Sequence, residues 1–261
     1  MIVGQQALRS RIGSMVSNGS FPKASALLGE RGCGKHTMAG EIAKSLGVPF
    51  SDITESLSPE FMSSLSESPY PSVYAADLSQ VGEREQNMLL KFAEEPPDGA
   101  YVIVMAERRE AILPTLLGRC VPFEFAPYSA DELRQVMPDV DERALKWATT
   151  PGQLSEIDWR LVPEMEKACD DIIANMRRAN LPNALSLAGR FNLGNDFSKF
   201  DVRMFVRMLL SKLVEAYAGG DARSGKMLRE LSGRSKALLD SRIALEPFVN
   251  SMLIGLWEAS R

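Results

Sequence analysis

The sequence predicts an α/β domain built on a parallel sheet, followed by regions that are wholly helical. Three observations carry this. Short apolar runs alternate with helix-like stretches as far as Pro127, and no strand-like run follows that residue. A glycine-rich pattern also sits at the first strand-to-helix junction, where such folds bind phosphate.

The elements can be justified in order. Residues 5–18 read as a helix, because Leu8, Ile12, Met15 and Val16 recur at helical spacing. Ala24 to Gly29 (ASALLG) is a short apolar run closed by glycine, the mark of a buried strand. Lys35 onward reads as a helix ended by Gly47. Glu55 to Ser72 is serine-rich and is expected to be a loop with one helical turn. Ser72 to Ser79 is a second strand. Glu83 onward is a helix halted by Pro96 and Pro97. Ala100 to Glu107 is a third strand, Ile112 to Cys120 a short helical segment and Val121 to Pro127 a fourth strand.

Ser129 with Glu132 three residues on forms a capping box that opens the helical part. Breaks fall at Pro138, Pro151-Gly152, Pro182, Gly194 and Gly219-Gly220. Phe205, Leu209, Leu213 and Tyr217 share one face of a helix, and the stretch from Pro247 is apolar enough to be buried nearly all round. These stripes serve an internal core and a subunit interface equally well. The expected division is an α/β domain over 1–127, a helical lid over 128–160 and an all-helical domain over 161–261.

The chain has 261 residues, 45% hydrophobic and 25% charged, an ordinary globular balance. No apolar run approaches the roughly 20 residues of a membrane span, and the first residues lack the regions of a signal peptide. A cytoplasmic protein is expected. Cys33, Cys120 and Cys169 are widely separated and His36 is the sole histidine, which argues against structural zinc and a disulfide framework. Residues 1–159 carry 14 Lys and Arg against 22 Asp and Glu, whereas residues 160–261 carry 16 against 12, so the two regions differ in sign.

The pattern G-x-x-x-x-G-K fits Gly29, Gly34 and Lys35, with Gly32 inside it. Backbone N–H groups of residues 30–35 would wrap a phosphate, the following helix would add its positive end, and Lys35 would reach the terminal phosphates. A glycine-rich turn with a surface lysine is the plain alternative. The next position ordinarily gives Mg²⁺ a hydroxyl, but here it is His36, a poor ligand for a cation that prefers oxygen. Thr37 lies about 100° further round the helix. Asp77 ends the second strand where a metal-orienting carboxylate is expected, and Leu78 follows where a general base would stand. Loss of such a base typically costs about 10²–10⁴ in rate.

Taken together, GQQAL near the start, LLGERGCGKHTMAGEIAKSLG, NMLLKFAEEPPDGAYVIVMAE and ILPTLLGRCVPFEF resemble AAA+ clamp-loader subunits of the bacterial replicative polymerase, their delta-prime branch above all. LLKFAEEPP is the most specific stretch, and GRC resembles the family's Ser-Arg-Cys with Gly118 in place of serine. The likeness is clear over about residues 2–127 and weaker beyond, where SRIALEPFVNSML is similar to a collar helix.

The resemblance implies an AAA+ P-loop domain, a lid and a collar. It implies ATP or ADP held by Gly29, Gly32, Gly34, Lys35, His36, Thr37 and Asp77, with Mg²⁺ poorly provided for. No zinc is implied, because the family's four-cysteine module is missing. Arg119 would act as an arginine finger on a neighbouring subunit's ATP; a residue capping helix carbonyls is the alternative. Cys120 beside it reads as a packing residue. The polar sensor position falls on Ala106-Glu107 and the lid sensor on Ser155, so hydrolysis by this chain itself is expected to be lost. Implied partners are other loader subunits, the sliding clamp and, through the assembled complex, primer-template DNA. Arg84, Lys91, Arg108 and Arg109 are candidate phosphate contacts, and no membrane role is implied. An active ATPase of the same superfamily, a nucleotide sensor without turnover, or a relative serving another DNA transaction remain open from the residues.

Overall fold

The structure, a computed structural model, describes residues 2–67, 70–156, 158–178, 181–191, 200–239 and 243–261. The break expected at Gly194, Ser68 and Pro69 of the serine-rich stretch, and Ser241 and Arg242 of the expected collar helix lie outside them. The chain forms two compact units, Met1–Val140 with Ala148–Gln153, and Asp141–Trp147 with Leu154–Arg261.

The first unit opens with α1 (Gln6–Ser17), β1 (Ala24–Leu28) and α2 (Lys35–Leu46), followed by β2 (Phe50–Asp52) and α3 (Pro59–Glu67). Then come β3 (Ser72–Asp77), α4 (Glu83–Glu94), β4 (Ala100–Ala106), α5 (Pro114–Leu117), β5 (Val121–Glu124) and α6 (Ala130–Val136). The five strands are all parallel, in the order β2-β3-β4-β1-β5. β1, β3 and β4 lie inside the sheet and are buried on both faces, which is why they read as unbroken apolar runs rather than alternating ones. One face packs Ala26, Leu28, Val102, Val104 and Ala106 with Leu89 and Phe92 of α4 and Leu116 of α5. Leu27, Val73, Ile103 and Met105 are buried on the other face, where Phe21 stacks on Phe123 with ring centroids 5.8 Å apart.

Two expectations about this unit are corrected. The described residues hold five strands where four are expected. β2 carries no sequence signal because it is three residues long and half-exposed, with no apolar run. The serine-rich stretch holds a nine-residue helix, α3, instead of a single turn; Ser58 Oγ accepts from Phe61 N–H at 3.2 Å and caps its start. The capping box stands as expected. Ser129 Oγ accepts from Glu132 N–H at 3.3 Å, and Glu132 Oε2 accepts from Ser129 N–H at 2.8 Å.

The second unit is helical: α7 (Glu142–Trp147), α8 (Pro151–Glu156), α9 (Val162–Arg177), α10 (Leu181–Leu185), α11 (Val202–Ala218), α12 (Ala222–Ser235) and α13 (Leu245–Ala259), the start of α8 belonging to the first. Its core gathers Met165 and Ile172 of α9, Phe205, Leu209 and Leu213 of α11, Leu231 of α12 and Met252, Leu253 and Leu256 of α13. Tyr217 departs from the expected stripe. It is 57% exposed in the last turn of α11, which ends at Ala218. α13 is buried on most sides, but Ile254 is exposed. The helical run breaks just before Pro151, between α7 and α8, and the proline itself opens α8, a position that needs no N–H. Among the described residues no helix is long and apolar enough to cross a membrane.

Candidate phosphate-loop site

The loop between β1 and α2 lies at the carboxyl end of the parallel sheet, where open α/β sheets bind ligands. Gly29 N–H donates to Ala106 O at 3.1 Å, anchoring the loop to β4. Gly32 and Gly34 take φ of +77° and +95°, conformations that favour glycine. Gly29 has a different reason to be glycine, since a Cβ there would lie 2.8 Å from Cys33 Sγ and from Phe125 Cβ. Lys35 Nζ donates to Gly29 O at 2.7 Å and Glu30 O at 3.2 Å, so the lysine lies across the loop it would serve. Burial raises the Cys33 thiol, partly offset by the Lys35 charge, and Cys33 is packing.

His36 is turned toward β2. Its Nε2–H donates to Asp52 Oδ2 at 2.9 Å, and the ring meets Phe50 edge-on at 4.9 Å. Asp52 Oδ1 accepts from Thr54 N–H at 2.9 Å and Thr54 Oγ1–H at 2.6 Å. Thr54 Oγ1 in turn accepts from Asp77 N–H at 2.9 Å, a relay from β2 to the end of β3. Asp77 Oδ1 accepts from Ser79 N–H at 3.0 Å, holding the turn after the strand. Leu78 is buried in the sheet core. Thr37 is exposed on α2. The donor set therefore does not fit a magnesium ion in the usual way: an imidazole committed to Asp52 stands where a hydroxyl oxygen is needed, and Asp77 already holds an amide. Among the described residues no group of three or more His, Cys, Asp or Glu could hold a metal.

Burial pushes the Asp52 carboxyl up, but the Thr54 and His36 hydrogen bonds outweigh it and leave its pKa below the ordinary 3.8. A carboxyl lowered by folding contributes stability above its unfolded value, and that contribution is lost as pH falls through the folded value. Thr54→Val should bring the Asp52 pKa back up and destabilise the first unit by about 1–3 kcal/mol, because Asp77 N–H loses its acceptor. Carboxyl titration by NMR together with denaturant unfolding would measure both; an unmoved Asp52 would refute the relay.

Arg119 follows α5 and is partly exposed. Its Nε and Nη2 both donate to Glu94 Oε1, and Nη1 donates to Thr115 O at 2.6 Å. It thus pairs with the first glutamate of LLKFAEEPP and also caps a helix carbonyl. Burial pushes the neighbouring Cys120 thiol up to about 11, which keeps it protonated. Of the basic candidates, Arg84 and Lys91 are exposed on α4. Arg109 Nε donates to Glu124 Oε1 at 2.9 Å, while Arg108 Nε is buried with no partner among the described residues. Ala106 is buried and Ser155 lies in α8. The sequence did not single out Asp52, Thr54, Glu94, Tyr128 or Thr150. Each acts through a hydrogen bond between distant segments, for which spacing gives no signal.

The family model for the DNA polymerase III delta subunit matches residues 47–129. That segment contains both LLKFAEEPP and GRC, and over it the chain is similar to that family. No curated protein matches the chain. Among solved structures, the Thermotoga maritima RuvB Holliday junction branch migration motor is 19% identical, over 83% of this chain and 78% of that one, with a TM-score of 0.47. A DNA polymerase III gamma subunit-related protein from Thermotoga maritima is 13% identical, over 96% of this chain and 99% of that one, also with a TM-score of 0.47.

Proposed function

We propose that this chain is a delta-prime-like subunit of a DNA polymerase clamp loader. It holds ATP or ADP in its loop without cleaving it, acts as a stator through a helical lid and collar, and lends Arg119 to a neighbouring subunit's ATP. The observation that supports this reading is the glycine loop with positive φ at Gly32 and Gly34, flanked by His36, which donates to Asp52, and by Leu78, which is buried where a base would stand. When bound, the nucleotide would supply the anionic phosphates; the loop amides and Lys35 would bind them, and none of these groups activates water. The match over residues 47–129 supports the loader assignment, and its partners would be other loader subunits, the clamp and primer-template DNA. Co-purification with loader subunits, with ATP turnover assayed for the chain alone and for the complex, tests this. Turnover should occur only in the complex. Magnesium-dependent cleavage by the chain alone, or failure to join any loader subunit, would overturn it.

A further inference from the structure

The phosphate loop is braced from outside by a strap, Tyr128 and Thr149–Gly152, within the same unit. We propose that this strap presets the loop amides for an anion, which makes Tyr128, Thr150 and Gly152 positioning residues for nucleotide phosphate. The inference rests on the nucleotide reading above and names what shapes that site.

Three consecutive loop carbonyls are tied to the strap. Thr150 Oγ1–H donates to Arg31 O at 2.9 Å, Gly152 N–H to Gly32 O at 3.0 Å and Tyr128 OH to Cys33 O at 2.9 Å. The strap's two pieces are joined by Tyr128 N–H donating to Thr149 O at 3.2 Å, and the Thr149 hydroxyl donates to the Glu30 carboxylate. Burial, with a smaller contribution from Cys33, pushes the Tyr128 phenol up to about 12, so it keeps the proton it donates.

The peptide bonds of the described residues are all trans. In a trans unit the carbonyl of one residue and the N–H of the next point in opposite directions. Fixing the carbonyls of Arg31, Gly32 and Cys33 toward the strap therefore fixes the N–H groups of Gly32, Cys33 and Gly34 away from it. Cys33 N–H turns back to Glu30 O at 3.2 Å. Those of Gly32 and Gly34 have no protein partner among the described residues.

The carbonyl side is fully accounted for. Lys35 takes Gly29 and Glu30, the strap takes the next three, and Met38 N–H takes Gly34 O at 2.9 Å. A loop whose acceptors are all used while two amides stay open has a surplus of donors, and an anion is the complement it lacks.

Gly152 shows how close the brace lies. A Cβ there would fall 2.4 Å from Gly32 Cα, and one on Gly32 would fall 2.6 Å from Gly152 Cα. Gly32 needs glycine for its φ as well; Gly152 needs it for the approach alone, which makes Gly152→Ala a clean probe of the contact.

ADP binding by calorimetry tests the proposal. Thr150→Val and Tyr128→Phe should each weaken ADP by about fivefold, the usual worth of one hydrogen bond. Gly152→Ala, which pushes the whole strap off, should exceed both. Thr150→Ser keeps the hydroxyl and should restore wild-type affinity, a rescue that a packing role would not give. In the wild type, ADP should shift the amide NMR signals of Gly32 and Gly34. Wild-type affinity in both Thr150→Val and Tyr128→Phe would overturn the inference and leave the nucleotide reading standing. A wild-type chain that binds neither ADP nor ATP would overturn both.

Discussion

Arg119→Ala in an assembled loader is expected to slow ATP cleavage at the neighbouring site by about 10³–10⁵-fold, the usual worth of an arginine finger. At about 1.36 kcal/mol per decade this is roughly 4–7 kcal/mol of transition-state stabilisation. The resting pose of Arg119 is compatible with that role. Its guanidinium is held by Glu94 and by Thr115 O, with both charged side chains partly exposed. An exposed pair of this kind is worth about 0–1 kcal/mol, far less than a phosphoryl group gains from a guanidinium, so the arginine can leave Glu94 at little cost. Glu94→Gln should therefore leave turnover intact while weakening the resting pair. Single-turnover cleavage by the reconstituted complex is the measurement. Full activity in Arg119→Ala would remove the finger and leave Arg119 as the cap of α5. The isolated variant should remain folded, since only surface contacts are lost.

The second large effect is on stability. Phe205→Ala should destabilise the helical unit by about 3–5 kcal/mol, the range for emptying an aromatic site in a core. Phe205 is fully buried on α11. Its ring meets Phe191 edge-on with centroids 4.8 Å apart and stacks on Phe200 at 6.0 Å, and pairs like these add about 0.5–1.5 kcal/mol beyond burial. Phe191 and Phe200 also form an isolated parallel bridge, with Phe200 N–H donating to Arg190 O at 2.9 Å. Losing the central ring would strip the support from that bridge. Denaturant unfolding followed by circular dichroism should show the midpoint falling sharply. A shift below about 1 kcal/mol would mean that the site collapses around the gap.

The parts of the fold that could be read from sequence are those whose signal is local. Interior strands announce themselves as apolar runs because both faces are covered, and the loop announces itself because Gly32 and Gly34 need positive φ. Edge structure is harder: β2 has only Phe50, Ser51 and Asp52, half-exposed, with no periodicity to detect. α3 had a usable sign in Ser58-Pro59, a cap followed by a first-turn proline, but the serines around it resemble a loop. Pro151 marks a real boundary, with α7 ending at Trp147 and α8 opening on the proline itself. Tyr217 fits the stripe by spacing and leaves it by position, in the last turn of α11. Lys35 and Arg119 could be picked out from their motifs. Their partners could not: Glu94 lies 25 residues before Arg119, and Thr150 lies 119 residues after Arg31. Only the folded chain brings these groups together.

The two borders of the sheet have a consequence for how a lone copy behaves in a crowded solution. β2 is three residues long and carries the charged Asp52; β5 has four residues and includes Pro122, which has no N–H to offer. A strand from another molecule would find too few free amides and carbonyls on either margin to extend the ladder. The apolar interior strands are thus shielded from runaway cross-chain pairing, and association is left to helices and side chains, where it can be selective.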